Sequence, residues 1–257
     1  MLSRLLREFL FFLIHWIVNK LVAVRNAYHQ FYAIKNKILN LHKGQQTKQE
    51  ALKVLEHIPK LQKGLKHLVM LADTNHHSAD DLASIVIWSL VAGIPYLTFY
   101  DISGDLKTKE KKIFIAVEKK KKGIPGCIKW SEKPDLNGYT NGIQANTIIV
   151  NIVEYSDGRP KIAQFIRNVA KDNSLCRRNS KEFTAQELNN ALFSIYPSIP
   201  EPELVLYTGL LCCTHGLLPW QIRLSEILQL SPNHMVTVDN YIGALYRYNK
   251  CEQRFGT

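Results

Sequence analysis

Apolar runs alternate with amphipathic ones along most of this chain. "KHLVMLAD" holds a continuous apolar run, Leu68 to Ala72, of the kind a strand covered on both faces requires. "SADDLASIVIWSLVAGI" comes next. Ser78, Asp80 and Asp81 supply an N-cap and negative charge for a helix start. Leu82, Ile85, Val86, Ser89 and Leu90 then recur on one face, and Gly93 offers the left-handed turn that closes such a helix. "PYLTFYD" reads as a second strand, and "DLKTKEKKIFIAVEKKKKG" as a helix with a lysine-rich outer face. "NTIIVNIVEY" is another strand and "RPKIAQFIRNVAKD" another helix. "TAQELNNALFS" opens with Thr184 and Glu187 at capping-box spacing. "PELVLYTG" is a further strand, and a last helix runs from about Asp239 to Cys251. Upstream, "TKQEALKVLEHI" is a short helix stopped at Pro59. The stretch from Gly123 to Asn146 shows the least pattern. Strands alternating with helices predict an α/β fold, with a mostly parallel central sheet flanked by helices. Such sheets bind ligands outside the carboxyl ends of their strands. Here those ends are Asp73-Thr74-Asn75, Asp101 and Thr208-Gly209.

The pattern divides the chain into residues 1–45, a membrane-anchoring and basic amphipathic segment, and residues 46–257, a folded domain. "REFLFFLIHWIVNKLVAVRN" is the most apolar stretch. It offers about sixteen residues between Glu8 and Arg25, broken by His15, Asn19 and Lys20, where a spanning helix needs about twenty. A short spanning anchor, an interfacial amphipathic helix and a cleaved signal peptide all stay open. Arg25, Lys35, Lys37, Lys43 and Lys48 follow, and the positive-inside rule puts the C-terminal side in the cytosol. "NAYHQFYAIKNKILNLHK" interleaves aromatics and lysines, which suits a lipid surface.

Composition narrows the chemistry. The chain has 257 residues, an apolar fraction of 46% and a net charge of +11. That excess favours anionic partners. No RNP or KH motif or zinc knuckle accompanies it, so nucleic acid is not expected. The cysteines are Cys127, Cys176, Cys212, Cys213 and Cys251. Their odd number, without any C-x-x-C, reads as reduced thiols rather than a disulfide frame or a zinc site. No G-x-G-x-x-G, Walker A, G-x-S-x-G or H-E-x-x-H is present. His76-His77 is the nearest thing to a metal or acid–base pair, and His215 has no carboxylate beside it in sequence. "EKKKK" reads as a solvated face.

Two segments carry a resemblance. "KHLVMLADTN" with "DDLASIVIWSLVAGIPYLTFYDISG" resembles the opening strand–loop–helix–strand of cis-prenyltransferases, whose signature is H-x-A-x-x-M-D-G-N-x-R. "PELVLYTGLLCCTHGLLPWQIRLSEI" with "CEQRFG" resembles that family's D-L-x-I-R-T-[SG]-G-x-x-R-x-S-N-F block and its R-x-G tail. "LPWQIRLSEI" and "CEQRFG" look closest to the family's Nogo-B receptor branch, the non-catalytic subunits of dehydrodolichyl diphosphate synthase. The resemblance covers roughly residues 66–107 and 200–257.

His67, Asp73 and Asn75 stand where the first signature has His, Asp and Asn. In that family the aspartate helps hold Mg²⁺ and the allylic diphosphate. Thr74 replaces the glycine, and His77 replaces the phosphate-binding arginine. Threonine adopts φ > 0 only at a cost and keeps the backbone away from phosphate. In the second block Tyr207 and Cys213 replace two arginines that grip isopentenyl diphosphate, and His215 replaces a serine. Neither Tyr nor Cys reproduces a bidentate guanidinium. The resemblance therefore implies a chain that does not elongate a prenyl group by itself. It would activate a catalytic cis-prenyltransferase subunit that holds Mg²⁺ and makes the long-chain polyprenyl diphosphate precursor of dolichol at the endoplasmic reticulum membrane. The tail residues Arg254, Phe255 and Gly256 would complete the partner's isopentenyl diphosphate site. Arg254 offers a planar fork of donors, and Gly256 leaves its N–H free to approach phosphate. Two alternatives are a self-sufficient enzyme using Asp73 and a membrane-anchored receptor on a decayed enzyme fold. The segment from Trp220 to Leu230 is the expected partner face.

Overall fold

The computed structural model describes residues 11, 13–22, 24–25, 43–130, 146–171, 184, 186–187, 189–190 and 200–252. The chain forms two compact units, Met1–Gln46 and Thr47–Thr257. In the first unit the described residues between 11 and 25 are helical. Leu13, Ile14, Trp16, Ile17, Val18, Leu21 and Val22 are all exposed along that helix, so apolar surface lies on every side of it. No helix among the described residues is long and apolar enough to cross a membrane.

The second unit is built on six strands: β1 (His67–Leu71), β2 (Tyr96–Asp101), β3 (Cys127–Trp130), β4 (Thr147–Glu154), β5 (Leu204–Thr208) and β6 (Glu226–Ser231). Their spatial order is β3-β4-β2-β1-β5-β6, and every pairing is parallel. The principal helices are α1 (Lys43–His57), which enters this unit at Thr47, and α2 (Ala79–Val91), α3 (Asp105–Lys121), α4 (Arg159–Lys171) and α5 (Val238–Lys250). α1 begins at Lys43 and gives way to a 3-10 turn that contains Pro59.

The larger core packs α1, α2, α3 and α5 against one sheet face around Leu68, Met70, Leu97, Phe99, Ile148 and Val150. A smaller core on the other face joins Val69, Tyr100, Val153 and Val205 to Leu217 and Leu218. The helix start read at Ser78 is a full capping box. Ser78 Oγ accepts the Asp81 N–H, and the Asp81 carboxylate accepts the Ser78 N–H at 2.9 Å. Gly93 closes the helix with φ +74°. One expectation changes here. The pattern gives α2 a single apolar face, yet Leu82 through Leu90 are all buried. The helix is a central rod rather than an amphipathic cover, because α3 packs over the side that the sheet leaves open. Each buried Leu, Ile or Val contributes about 1.5–3 kcal/mol.

Two strands escape the sequence pattern. β3 lies inside the stretch from Gly123 to Asn146, and β6 lies inside "LPWQIRLSEI" and the residues after it. Both are edge strands. Edge strands are only partly covered, so they lack the continuous apolar run that marks β1. Among the described cysteines, Cys127, Cys212, Cys213 and Cys251 are free thiols.

Candidate functional site

Because every strand runs the same way, the loops after β1, β2, β4, β5 and β6 emerge at one edge of the sheet. That edge brings the adjacent His76 and His77 together with His234, far away in sequence. The Asp73 backbone N–H donates to His77 Nδ1 at 2.9 Å. Neutral His77 therefore carries its proton on Nε2 and donates to Thr208 Oγ1 at 3.1 Å. The Thr208 hydroxyl has one proton, which it gives to His234 Nδ1 at 2.8 Å. His234 stacks on His76 with centroids 3.9 Å apart and planes 10° apart.

The backbone is shaped to hold this cluster. The Asp73 carbonyl accepts the N–H groups of both His76 and His77, which curls the loop and turns His77 inward. His77 is 5% exposed, whereas His76 and Asn75 face solvent. Gly209 has φ +91°, and a Cβ there would lie 2.7 Å from His234 Cε1. His234 itself adopts φ +59°. Burial holds the His77 imidazole at about 4, well below the ordinary histidine value. The Asp81 and Asp73 carboxylates favour the proton, while His234 and His76 oppose it.

The residues singled out from the first signature take up separate tasks. Asp73 Oδ1 accepts the Asn75 N–H at 2.8 Å, and Oδ2 lies 3.8 Å from His76 Nε2. Thr74 does not enter the φ > 0 region that a glycine would allow, and its hydroxyl donates to Asp105 Oδ2 at 3.2 Å. His67 is fully buried at the other end of β1. Its Nδ1 donates to the Pro200 carbonyl at 2.7 Å, and its Nε2 accepts from Thr98 Oγ1 at 2.8 Å. Desolvation holds His67 at about 4 despite the Pro200 carbonyl, which favours protonation. Asp101 is a scaffold residue: its carboxylate accepts the Ser103 and Leu106 N–H groups at 3.0 and 2.9 Å and sets the start of α3.

In the second block, half-buried Tyr207 pairs with Gln229 of β6. Cys213 is exposed, with Sγ 3.4 Å from His215 Nδ1. His215 has φ +50°, and its carbonyl accepts the Tyr100 hydroxyl at 2.7 Å. Arg254, Phe255 and Gly256 lie outside the described residues.

The charges at this edge decide what it can bind. None of the segments 72–78, 101–104, 154–158, 208–218 and 231–237 contains a lysine or arginine. Lys107 reaches in from the first turn of α3, but Asp157 and Glu154 take it at 3.0 and 3.3 Å. Asp80 and Asp81 sit in the first turn of α2, where an anion would otherwise meet free N–H groups. Arg159 stands exposed at the start of α4, next to segment 154–158; within the segments themselves a diphosphate would face carboxylates, hydroxyls and the buried His77. Mg²⁺ fits no better. It requires about six oxygen ligands, and Asp73 has imidazoles for neighbours. No cluster of three or more His, Cys, Asp and Glu among the described residues is arranged to hold a metal ion.

The His77–Thr208–His234 relay is what sequence reasoning missed. The signals pointing toward it were the His76-His77 pair, the strand end at Thr208 and His77 standing where the signature has arginine; nothing in sequence joined them or included His234. The segment from Trp220 to Leu230 covers all of the outer strand β6 but Ser231 and has an exposed Leu224.

No protein-family model matches the chain. The dehydrodolichyl diphosphate synthase complex subunit Nus1 of Mus musculus is 30% identical over 193 residues, which are 74% of this chain and 64% of that protein. The Homo sapiens subunit of the same name is 29% identical over 193 residues, 74% of this chain and 65% of that protein. The chain thus spans just under two thirds of the length of these curated relatives. Among solved structures, lavandulyl diphosphate synthase from Lavandula x intermedia in complex with dimethylallyl diphosphate superposes with a TM-score of 0.54 at 14% identity. That match covers 75% of this chain and 98% of the synthase, and it shows a shared fold.

Proposed function

This chain is a homologue of the Nus1 subunits of dehydrodolichyl diphosphate synthase complexes, and on that premise we propose that it is the non-catalytic, activating subunit of a heteromeric cis-prenyltransferase. The complex makes the long-chain polyprenyl diphosphate that precedes dolichol and serves protein glycosylation. The observation that carries the non-catalytic half of this reading is the make-up of the strand-end loops. The loops after β1, β2, β4, β5 and β6 hold no lysine or arginine, and His77 spends both ring nitrogens inside the chain. Mg²⁺ and the growing prenyl chain belong to the partner's site. The Trp220–Leu230 segment, with the edge strand β6, is the face offered to that partner.

The C-terminal residues reach the partner's isopentenyl diphosphate. Arg254 pairs with the diphosphate through its guanidinium fork, and Gly256 brings its backbone N–H to a phosphate oxygen. Phe255 lies between them and closes the site against water. The apolar helix between residues 11 and 25 anchors the subunit in the endoplasmic reticulum membrane, with the α/β unit on the cytosolic side. A hydrocarbon product can then leave directly into lipid.

Incorporation of labelled isopentenyl diphosphate into long-chain polyprenyl diphosphate tests the reading. The chain alone gives background incorporation, and addition of a catalytic subunit gives strong stimulation. Arg254→Ala removes a bidentate contact of about 2–4 kcal/mol, so the complex loses activity about 30- to 1,000-fold. Elongation by the chain alone would assign a working role to Asp73 and refute the proposal. Stimulation unchanged by Arg254→Ala would keep the partnership and remove the tail from the site.

A further inference from the structure

Helix α3 carries a surface that the fold does not use. Along its outer side Thr108, Lys111, Lys112, Ile115, Glu118, Lys119 and Lys122 are exposed. At about 100° per residue the positions from Thr108 to Lys119 span about 120° of the helix, with Ile115 at the centre, and Lys122 follows as the residue that ends it. Ile115 is 56% exposed. Lys111 and Lys112 lie one turn before it, and Lys119 and Lys122 one and two turns after it. None of these four lysines makes an ion pair or side-chain hydrogen bond among the described residues, whereas Lys107, Lys109 and Lys120 on the same helix do. α1 meets the end of this stripe. The Lys48 Cε and Nζ atoms lie 3.2 Å from the place a Gly123 side chain would occupy. Lys48 shares the exposed side of α1 with Leu52 and Leu55, which are 59% and 54% exposed.

An apolar centre flanked by four unpaired lysines, with a single carboxylate, Glu118, on the stripe, is poorly matched to water alone. It is matched to a surface that is anionic outside and apolar just beneath. We infer that the outer faces of α3 and α1 form a docking surface for anionic phospholipid bilayers, separate from the N-terminal apolar helix. The lysines pair with lipid phosphates and let their methylene stems lie on the acyl boundary, while Ile115, Leu52 and Leu55 enter it. Chain continuity favours lipid over an acidic protein as the occupant. α1 is the first described helix after the apolar stretch of residues 11–25, so on the proposed reading of that stretch as a membrane anchor the chain runs from the anchor into the helix that bears this face. The β6 edge is on the far side of the sheet from β4, against which α3 lies. The inference rests on the proposed membrane anchor and not on the prenyltransferase reading.

Hydrogen–deuterium exchange of residues 105–123 in the full chain reads the contact directly. The chain is reconstituted in vesicles of phosphatidylcholine alone or of phosphatidylcholine with phosphatidylserine. Protection of this segment appears only with phosphatidylserine and disappears at high salt. Each Lys→Gln change at 111, 112, 119 or 122 lowers the protected population about fivefold. Ile115→Ser lowers it as well, and melting curves stay unchanged because all five side chains are exposed. Equal exchange in the two vesicle types would overturn the inference. So would protection that appears only when a catalytic subunit is added, whatever the lipid, since that would assign the face to protein.

Discussion

His67 and His77 stand at opposite ends of β1, and their environments are nearly the same. Both are buried, both are held neutral at about 4 by desolvation, and both use their two ring nitrogens inside the chain. Their consequences differ. His67 ties the start of β1 to β2 and to the segment before β5, so it braces the sheet. His77 ties the loop after β1 to Thr208 at the end of β5, so it closes the edge where a ligand would enter. A satisfied imidazole is scaffold at one end of the strand and an obstruction at the other. What separates the two roles is position relative to the carboxyl edge of the sheet.

The sharpest way to break this comparison is to remove each ring. His67→Ala leaves the Pro200 carbonyl and the Thr98 hydroxyl unpaired in the interior and opens a cavity, so stability falls by about 3–5 kcal/mol in urea unfolding. His77→Ala costs about 1–3 kcal/mol because its partners sit nearer solvent. Equal losses would erase the distinction between brace and obstruction.

Acid titration addresses both rings together. Each folded-state value lies below the unfolded value of about 6.5. Their stabilising effect is therefore complete above pH 6.5 and is lost as pH falls from 6.5 toward about 4. The gap corresponds to about 3 kcal/mol for each histidine by pH 4. Either single Ala variant should show about half of the wild-type loss. A variant that keeps all of it would show that its histidine does not titrate as described.

Two smaller effects sharpen the edge. Gly209→Ala forces a side chain into φ +91° and against His234, at a cost of about 2 kcal/mol by thermal melting. Thr208→Val cuts the relay between His77 and His234 and costs about 1 kcal/mol. A neutral result at Gly209 would mean that His234 is free to leave its place.

Local chemistry was legible in the sequence, and edge geometry was not. The Leu68–Met70 run, the Ser78–Asp81 box, the Gly93 turn and the Thr184–Glu187 box all follow from spacing within a few residues. β3 and β6 lacked a signal because edge strands alternate weakly and are only partly covered. The burial of α2 on all sides has a signal in Ala83, Ile87 and Trp88, which make its other face apolar too, and the one-face reading passed over it. At the site, the two motif-like blocks set His77, Tyr207 and Cys213 where the resembling signatures have arginine. The use of His77 could not be read from them, because its partners Thr208 and His234 are brought to it only by parallel pairing through β5 and β6.

The most direct test of the central claim is calorimetric titration of the isolated full chain with isopentenyl diphosphate and Mg²⁺, with His77→Arg alongside. The account predicts no saturable heat for the wild-type chain. His77→Arg should also bind nothing, and it should be destabilised by a charge forced into a buried site. Saturable binding by the wild-type chain, abolished by Asp73→Ala, would contradict the account, because the strand-end loops would then hold diphosphate without a lysine or arginine.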